Sequence, residues 1–338
     1  MIKNLKLKGF RNFKTKALEF SDKITTIVGP NASGKTNILE SLFLLSTAKS
    51  FKAKLEAEII KYDEDIASIL GVTDGTSLEV KITRGDNGWP KKRVLVNGVA
   101  KRTIDFAGNF KTVLFAPQDM DLVTESPSIR RKFLDNVLCQ IDREYRRNIL
   151  SYEKGLRQRN KLLFRIREEG VPRSQLLFWN QLLIKNGDYI SIRRQEFIDF
   201  VNSQEPPSNT NYRLEYDRSV ISDGRLEQYK QEEVSAATTL VGPHRDDFIF
   251  FDGKRNLASY GSRGEQRMGV LWLKMAELNF IEEKTSERPT LLLDDIFSEL
   301  DHEHRDIVVE LAKRQQTVIT TADEHFLKGL KSGGIINL

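Results

Sequence analysis

The chain is poor in several residues that would point to familiar classes. It has one cysteine in 338 residues, so no intrachain disulfide can form, which suits a reducing, cytoplasmic setting. That residue, Cys139, sits in the pattern Phe133-Leu134-x-x-Val137-Leu138 and is expected as a small core residue. Histidine is scarce, at 4 residues; His302-x-His304 has no convincing third ligand, so no zinc-type site is expected. No apolar run reaches the roughly 18 residues a spanning helix needs. Met1-Ile2-Lys3-Asn4-Leu5-Lys6 alternates apolar and polar residues without an apolar core, so no signal peptide is expected. There is no repeat of 20–50 residues, which argues against a solenoid. Sustained heptads are missing from residues 121–239, which argues against a long coiled coil.

What is present is an ordinary globular composition, 39% hydrophobic and 30% charged, with net charge +5. That mild excess only weakly favours a polyanionic partner. Residues 1–30 read as strands: Ile2, Leu5, Leu7 and Phe10 open a period-two pattern, and Ile24–Val28 is a short buried strand running into Gly29. Residues 66–115 alternate in segments split by Asp74-Gly75, Gly85-Asp86-Asn87-Gly88 and Asn97-Gly98, as an antiparallel meander would. Residues 128–200 turn helical and charged, with a break at Glu169–Pro172, and a polar, proline-rich loop follows at 202–211. The expected fold is α/β: a head of mixed sheet and meander made from residues 1–120 and 240–338, with a helical arm inserted at 121–239.

Three motifs carry the chemistry. Gly29-Pro30-Asn31-Ala32-Ser33-Gly34-Lys35-Thr36 fits the phosphate-binding loop between a strand and a helix. Its backbone N–H groups and the helix N-terminus suit a β-phosphate; Lys35 would reach the β/γ-phosphates and Thr36 would give its hydroxyl to Mg²⁺. Thr290-Leu291-Leu292-Leu293-Asp294-Asp295 is an apolar strand ending in two carboxylates, which brings them to the edge where ligands bind in open α/β sheets. Asp294 is expected in the Mg²⁺ shell, and Asp295 as the catalytic carboxylate that polarises the attacking water. Gly261-Ser262-Arg263-Gly264-Glu265-Gln266-Arg267 opens an amphipathic helix and forms a second phosphate nest. One chain needs one nest for its β-phosphate, so this second nest is expected to bind the γ-phosphate of a second copy's ATP, closing a homodimer. Gln118, in Phe115-Ala116-Pro117-Gln118-Asp119, follows a strand and could touch Mg²⁺ or water.

Together with Gly9-Phe10-Arg11-Asn12-Phe13, Ser126–Asp135, Gly242-Pro243-His244-Arg245-Asp246-Asp247 and Leu292-Leu293-Asp294-Asp295-Ile296-Phe297-Ser298-Glu299-Leu300-Asp301, these strings resemble the RecF family of recombination-repair ATPases, relatives of SMC-type heads. The resemblance runs the whole length. It implies an ABC-type head, ATP and Mg²⁺ as cofactors, ATP-dependent dimerisation on DNA (duplex or a single-strand/duplex junction), slow DNA-stimulated hydrolysis, and partnership with RecO- and RecR-like mediators in loading recombinase at gaps. It assigns Asp294 to the metal, Asp295 to catalysis, Ser262 and Gly264 to the other copy's ATP, and Ser298–Asp301 to the loop across the dimer. His244 is left between a place near the nucleotide and a structural role. Three departures stand out, the first being Arg263, which replaces a glycine of the ABC signature. Ala32 occupies a position that is often glycine, and Thr320-Thr321-Ala322 stands where many ABC proteins carry a histidine, so the γ-phosphate sensor is unassigned; His325 lies too far along to inherit that role.

Residues 128–167 concentrate basic side chains but few aromatics, which favours duplex backbone contact over base stacking. Arg130, Arg131, Arg146, Arg147 and Arg157 are the expected DNA contacts. Other readings of the same motifs are the energy-coupling subunit of a membrane transporter, against which the long basic insert and Gly242–Asp247 argue, and an SMC-like head of another repair complex.

Overall fold

The computed structural model describes residues 1–85, 89–207, 210–298, 302–322 and 333–338. The chain divides into two compact units, residues 1–119 with 277–338, and residues 120–276. Its strands are β1 (Ile2–Phe10), β2 (Phe13–Glu19), β3 (Ile24–Val28), β4 (Ile66–Thr73), β5 (Thr76–Thr83), β6 (Lys91–Val96), β7 (Val99–Lys101), β8 (Thr112–Phe115), β9 (Tyr212–Asp217), β10 (Asp247–Asp252), β11 (Arg255–Asn256), β12 (Thr290–Asp294), β13 (Thr317–Thr321) and β14 (Gly334–Asn337).

The first unit holds two sheets around one apolar core. A parallel sheet runs β14-β3-β13-β12-β8 and an antiparallel sheet runs β2-β1-β4-β5-β6-β7. Leu291, Leu292 and Leu293 are all buried, as are Val318 and Ile319; continuous apolar runs of this kind belong to parallel strands covered on both faces. In the antiparallel sheet burial alternates: Val80 and Ile82 face in, while Glu79 and Lys81 face out. Between the sheets lies the helix Lys35–Thr47, buried along nearly its whole length, which contributes Ile38, Leu39, Leu42 and Leu45 to the core.

The second unit is built on three helices, Pro127–Ile141, Arg143–Glu169 and Leu177–Ser203, with the sheet β11-β10-β9. The break expected at Glu169–Pro172 is present: Gly170 adopts φ 66 and ends the second helix. The division of the chain differs from the expected one. Residues 240–276 belong with the arm rather than with the head. The reason is pairing: β10 is antiparallel to β9 from Asp247↔Asp217 to Asp252↔Tyr212, so the strand after Gly242–Asp247 completes the arm's own sheet. Cys139 is half-buried, not a full core residue.

Candidate active site: an ATP edge on the parallel sheet

The parallel sheet brings distant segments to one edge. β12 lies between β13 and β8, and β13 lies between β12 and β3, all parallel. Their C-terminal ends therefore present the Gly29–Thr36 loop, Thr320, Asp294 with Asp295, and the turn Pro117–Met120 side by side. Gln118 is exposed on that turn.

The loop geometry depends on its glycines. Gly34 has φ 108, and a Cβ there would lie 2.6 Å from Phe13 and 2.7 Å from Asn12. No side chain caps the helix that follows, and its first turn holds no acidic residue; its unsatisfied N–H groups and positive end are left for an anion. The Ser33 hydroxyl is buried without a partner among the described residues, a further polar group oriented for a ligand. Lys35 is 8% exposed, and its Nζ donates to the carbonyls of Gly29 at 2.7 Å and Pro30 at 3.0 Å. Ala32 holds φ 66, a left-handed conformation that glycine adopts without cost.

Thr36 Oγ1 donates to Asp294 Oδ1 at 2.9 Å across 258 residues of sequence. Thr320 Oγ1 donates to the same oxygen at 2.8 Å. Asp294 is 4% exposed, so its carboxylate is shielded from water and satisfied by hydroxyls. A hydroxyl and one carboxylate at a phosphate loop are the hard oxygen donors that Mg²⁺ takes alongside substrate phosphates, so these residues fit the ion. Asp295 has φ 51, and its N–H donates to the Thr320 carbonyl at 3.1 Å. That left-handed backbone, which aspartate adopts more readily than most residues, follows directly on the end of β12 at Asp294.

Several residues that the motifs did not single out complete this edge. Asn12 Nδ2 donates to the Ser33 carbonyl at 2.9 Å, and Asn37 Nδ2 donates to Asn12 Oδ1 at 2.9 Å. Arg11, at φ 52 in the β1–β2 turn, pairs bidentately with the buried Glu40 through Nε at 2.8 Å and Nη2 at 2.6 Å. Arg11, Asn12, Asn37, Lys52, Tyr62 and Arg84 line part of a cavity of about 480 Å³ beside the loop. The signal for Arg11 and Asn12 was their place in Gly9–Phe13, and for Thr320 its place where many ABC proteins carry a histidine; Asn37 carried none.

Ser262 and Gly264 belong to the second unit and are both exposed. Ser262 Oγ accepts from the Glu265 N–H at 3.3 Å, and the Ser262 N–H donates to Glu265 Oε2 at 2.7 Å. This reciprocal pair is a capping box, and the backbone hydrogen bond holds the Glu265 carboxyl below its usual range. Of Ser298–Asp301, residues Glu299–Asp301 lie outside the described residues, as does His325.

The expected DNA contacts separate into two groups. Arg130 is 8% exposed and grips Asp247 through Nε at 2.6 Å and Nη2 at 2.9 Å, with its Nη1 on the carbonyls of Leu122 and Glu125. With four of its five N–H groups committed inside the unit, this guanidinium is a structural ion pair, and the expectation of a DNA contact for it is corrected. Arg131 donates to the Asp246 carbonyl at 2.8 Å, and Arg146 to that of Cys139; both are half-buried. Arg147 and Arg157 are exposed.

His244 is also internal. Its Nδ1 lies 2.8 Å from Tyr152 Oη and its Nε2 3.0 Å from the Thr239 carbonyl. Burial lowers its pKa to about 4, so the ring is neutral, with Nε2–H donating and Nδ1 accepting. Beside it Arg194 donates to the Pro243 carbonyl at 2.7 Å, Asp246 at 3.0 Å and Asp135 at 2.8 Å. The Gly242–Asp247 string is thus the centre of the arm's polar core.

Fold and site define a P-loop ATPase head of the SMC type. The model of the RecF/RecN/SMC N terminal domain matches residues 1–335. The chain is 34% identical to the DNA replication and repair protein RecF of Lachnoclostridium phytofermentans, covering 97% of this chain and 94% of that one. It is 35% identical to the RecF of Thermoanaerobacter pseudethanolicus, covering 97% and 96%. The solved structure of the recombination mediator protein RecF with ATP, described in the RecFOR pathway, superposes with TM-score 0.87 at 32% identity, over 95% of this chain and 92% of that one. The Smc head of Pyrococcus furiosus shares the fold at 16% identity and TM-score 0.50, over 97% and 91%. The chain belongs to the RecF family, and the transporter reading falls away.

Proposed function

We propose that this chain is an ATP-driven switch of DNA repair, which binds ATP, pairs with a second copy on DNA and resets by slow hydrolysis that DNA stimulates. One observation carries the reading: the Thr36–Asp294 hydrogen bond that joins the phosphate loop to the first acidic residue at the end of β12. ATP would place its β-phosphate in the Gly29–Thr36 loop and its nucleoside toward the cavity bordered by Asn12 and Asn37. Lys35 exchanges its loop carbonyls for phosphate oxygens, a change of partner that keeps its charge compensated. Thr36 and Asp294 would hold Mg²⁺, which when bound offsets charge on the β- and γ-phosphates. Asp295 orients a water against the γ-phosphorus and accepts its proton as the phosphoryl group leaves ADP. Gln118 lies on the same edge and can steady that water. Ser262 and Gly264 serve the partner copy's nucleotide. The place of the solved RecF–ATP structure in the RecFOR pathway supports RecO- and RecR-like partners, and the single cysteine suits a cytoplasmic setting.

Asparagine tolerates the left-handed backbone of residue 295, so Asp295→Asn removes the carboxylate without disturbing the turn. Hydrolysis should fall by about 10²–10⁴-fold, the range for a general base, while light scattering with ATP and duplex shows a persistent dimer. Normal turnover by this variant would remove Asp295 from its role, and an unchanged monomer mass with ATP and DNA would refute the switch.

A further inference from the structure

The helix Arg143–Glu169 has two faces set back to back. Its buried side chains, among them Tyr145, Tyr152, Gly155, Arg159 and Leu163, recur at helical spacing and face the interior of the second unit. On the opposite face Arg143, Arg147, Leu150, Lys154, Arg157, Lys161 and Arg165 follow one another at steps of four, three, four, three, four and four residues, and all are exposed. Steps of three and four keep a row on one side of an α-helix. From Arg143 to Arg165 the row spans about 33 Å at 1.5 Å per residue. Six of its seven members are cations and none is acidic. Glu144 pairs with Arg147 at 3.0 Å and Glu169 with Arg165 at 2.9 Å, both exposed contacts along the helix; pairs of that kind are weak and easily exchanged for another anion. Lys154, Arg157 and Lys161, in the middle, form no ion pair among the described residues.

We infer that this stripe is the track on which the protein holds the sugar-phosphate backbone of duplex DNA. The inference rests on the proposed function and gives it an address. Three features single out a polyanionic rod rather than a folded protein partner. The cations are evenly spaced over a length close to one turn of duplex, about 34–36 Å. Their row carries a single apolar side chain, Leu150, where a protein interface needs a desolvated apolar centre. The row itself carries no aromatic, and the exposed Phe164 beside it lies under the Arg167 guanidinium at 5.4 Å, which leaves bases of a single strand little open stacking surface. Arg147 and Arg157 belong to the stripe, whereas Arg130, Arg131 and Arg146 serve the interior. Arg143, Lys154, Lys161 and Arg165 take their places.

The test is the salt dependence of binding to a fluorescent 30-base-pair duplex with ATP, for the full chain and for the triple variant Lys154→Gln, Arg157→Gln, Lys161→Gln. The urea midpoint of each protein shows that it is folded. Losing three phosphate contacts should make the slope of log K against log salt shallower by about 2 to 3. A matched pair on the outer face of the antiparallel sheet, Lys6→Gln with Lys8→Gln, should change it much less. An unchanged slope in the folded triple variant overturns the stripe while leaving the ATP switch standing. A larger change in the sheet variant moves the track to that sheet. Loss of binding to poly-glutamate without loss of duplex binding would show a protein-docking surface instead. Absence of duplex binding by the unaltered chain refutes the switch on DNA itself.

Discussion

The ATP edge of the first unit and the polar centre of the second use similar residues to opposite ends. At the ATP edge the charges are under-committed. Lys35 rests on two loop carbonyls, the Ser33 hydroxyl has no partner among the described residues, and the helix after Gly34 starts uncapped. In the arm the charges are consumed. Arg194 meets two carboxylates, a carbonyl and the Tyr145 hydroxyl, and Arg159 lies against Glu233, Thr239 and Asn180. A motif rich in charged residues can therefore mark either a ligand site or a structural lock, and the number of internal partners distinguishes them.

This contrast can be broken or sharpened by three measurements. The largest effect is expected at Arg194. Arg194→Ala strands the carboxylates of Asp135 and Asp246 in the interior, and removing one partner of a buried pair costs about 3–5 kcal/mol. Urea unfolding of the second unit should shift by that much; a loss under 1 kcal/mol would show that the network relaxes and is no lock. Next comes His244. Its pKa of about 4 is below the usual 6.5, so the folded state resists protonation. The stabilisation is complete above about pH 6.5 and is lost as pH falls toward 4, and it amounts to about 3 kcal/mol at most. The pH dependence of unfolding over that window should be steeper for the unaltered chain than for His244→Gln. Equal slopes would show that the ring is accessible to protons. The smallest effect is at Ala32, whose φ of 66 costs a non-glycine residue about 1 kcal/mol, partly offset by the entropy glycine would lose. Ala32→Gly should stabilise the first unit by less than about 1 kcal/mol and leave nucleotide affinity in place. A destabilised variant would mean that the alanine methyl makes contacts that matter.

The head's architecture was readable in the sequence because its signals are local. Strand, loop and helix around Gly29–Thr36 follow from short-range pattern, and Leu291–Leu293 announces a covered parallel strand. The helical character of residues 128–200 and the break before Pro172 were equally legible. The division of the chain was not: nothing in the letters of Tyr212–Asp217 or Asp247–Asp252 states that they pair with each other and keep residues 240–276 in the arm. Side-chain roles were hardest. Arg130 and Arg157 look alike as letters in a basic run, and only burial separates the ion pair with Asp247 from the exposed stripe. Thr320, noted as the residue standing where a histidine is common, turned out to hold the Asp294 carboxylate, a contact across the sheet that no spacing encodes.

The two-faced helix Arg143–Glu169 also bears on how such a protein can change over generations. Its stripe residues are exposed, so each can be exchanged at small cost to the fold, and grip on a polyanion can drift by small increments under selection. Arg159 and its partners on the other face are bound to one another, and a change in one requires a change in several. Lineages facing different salt or different DNA loads can retune the outer row freely while the inner row stays fixed.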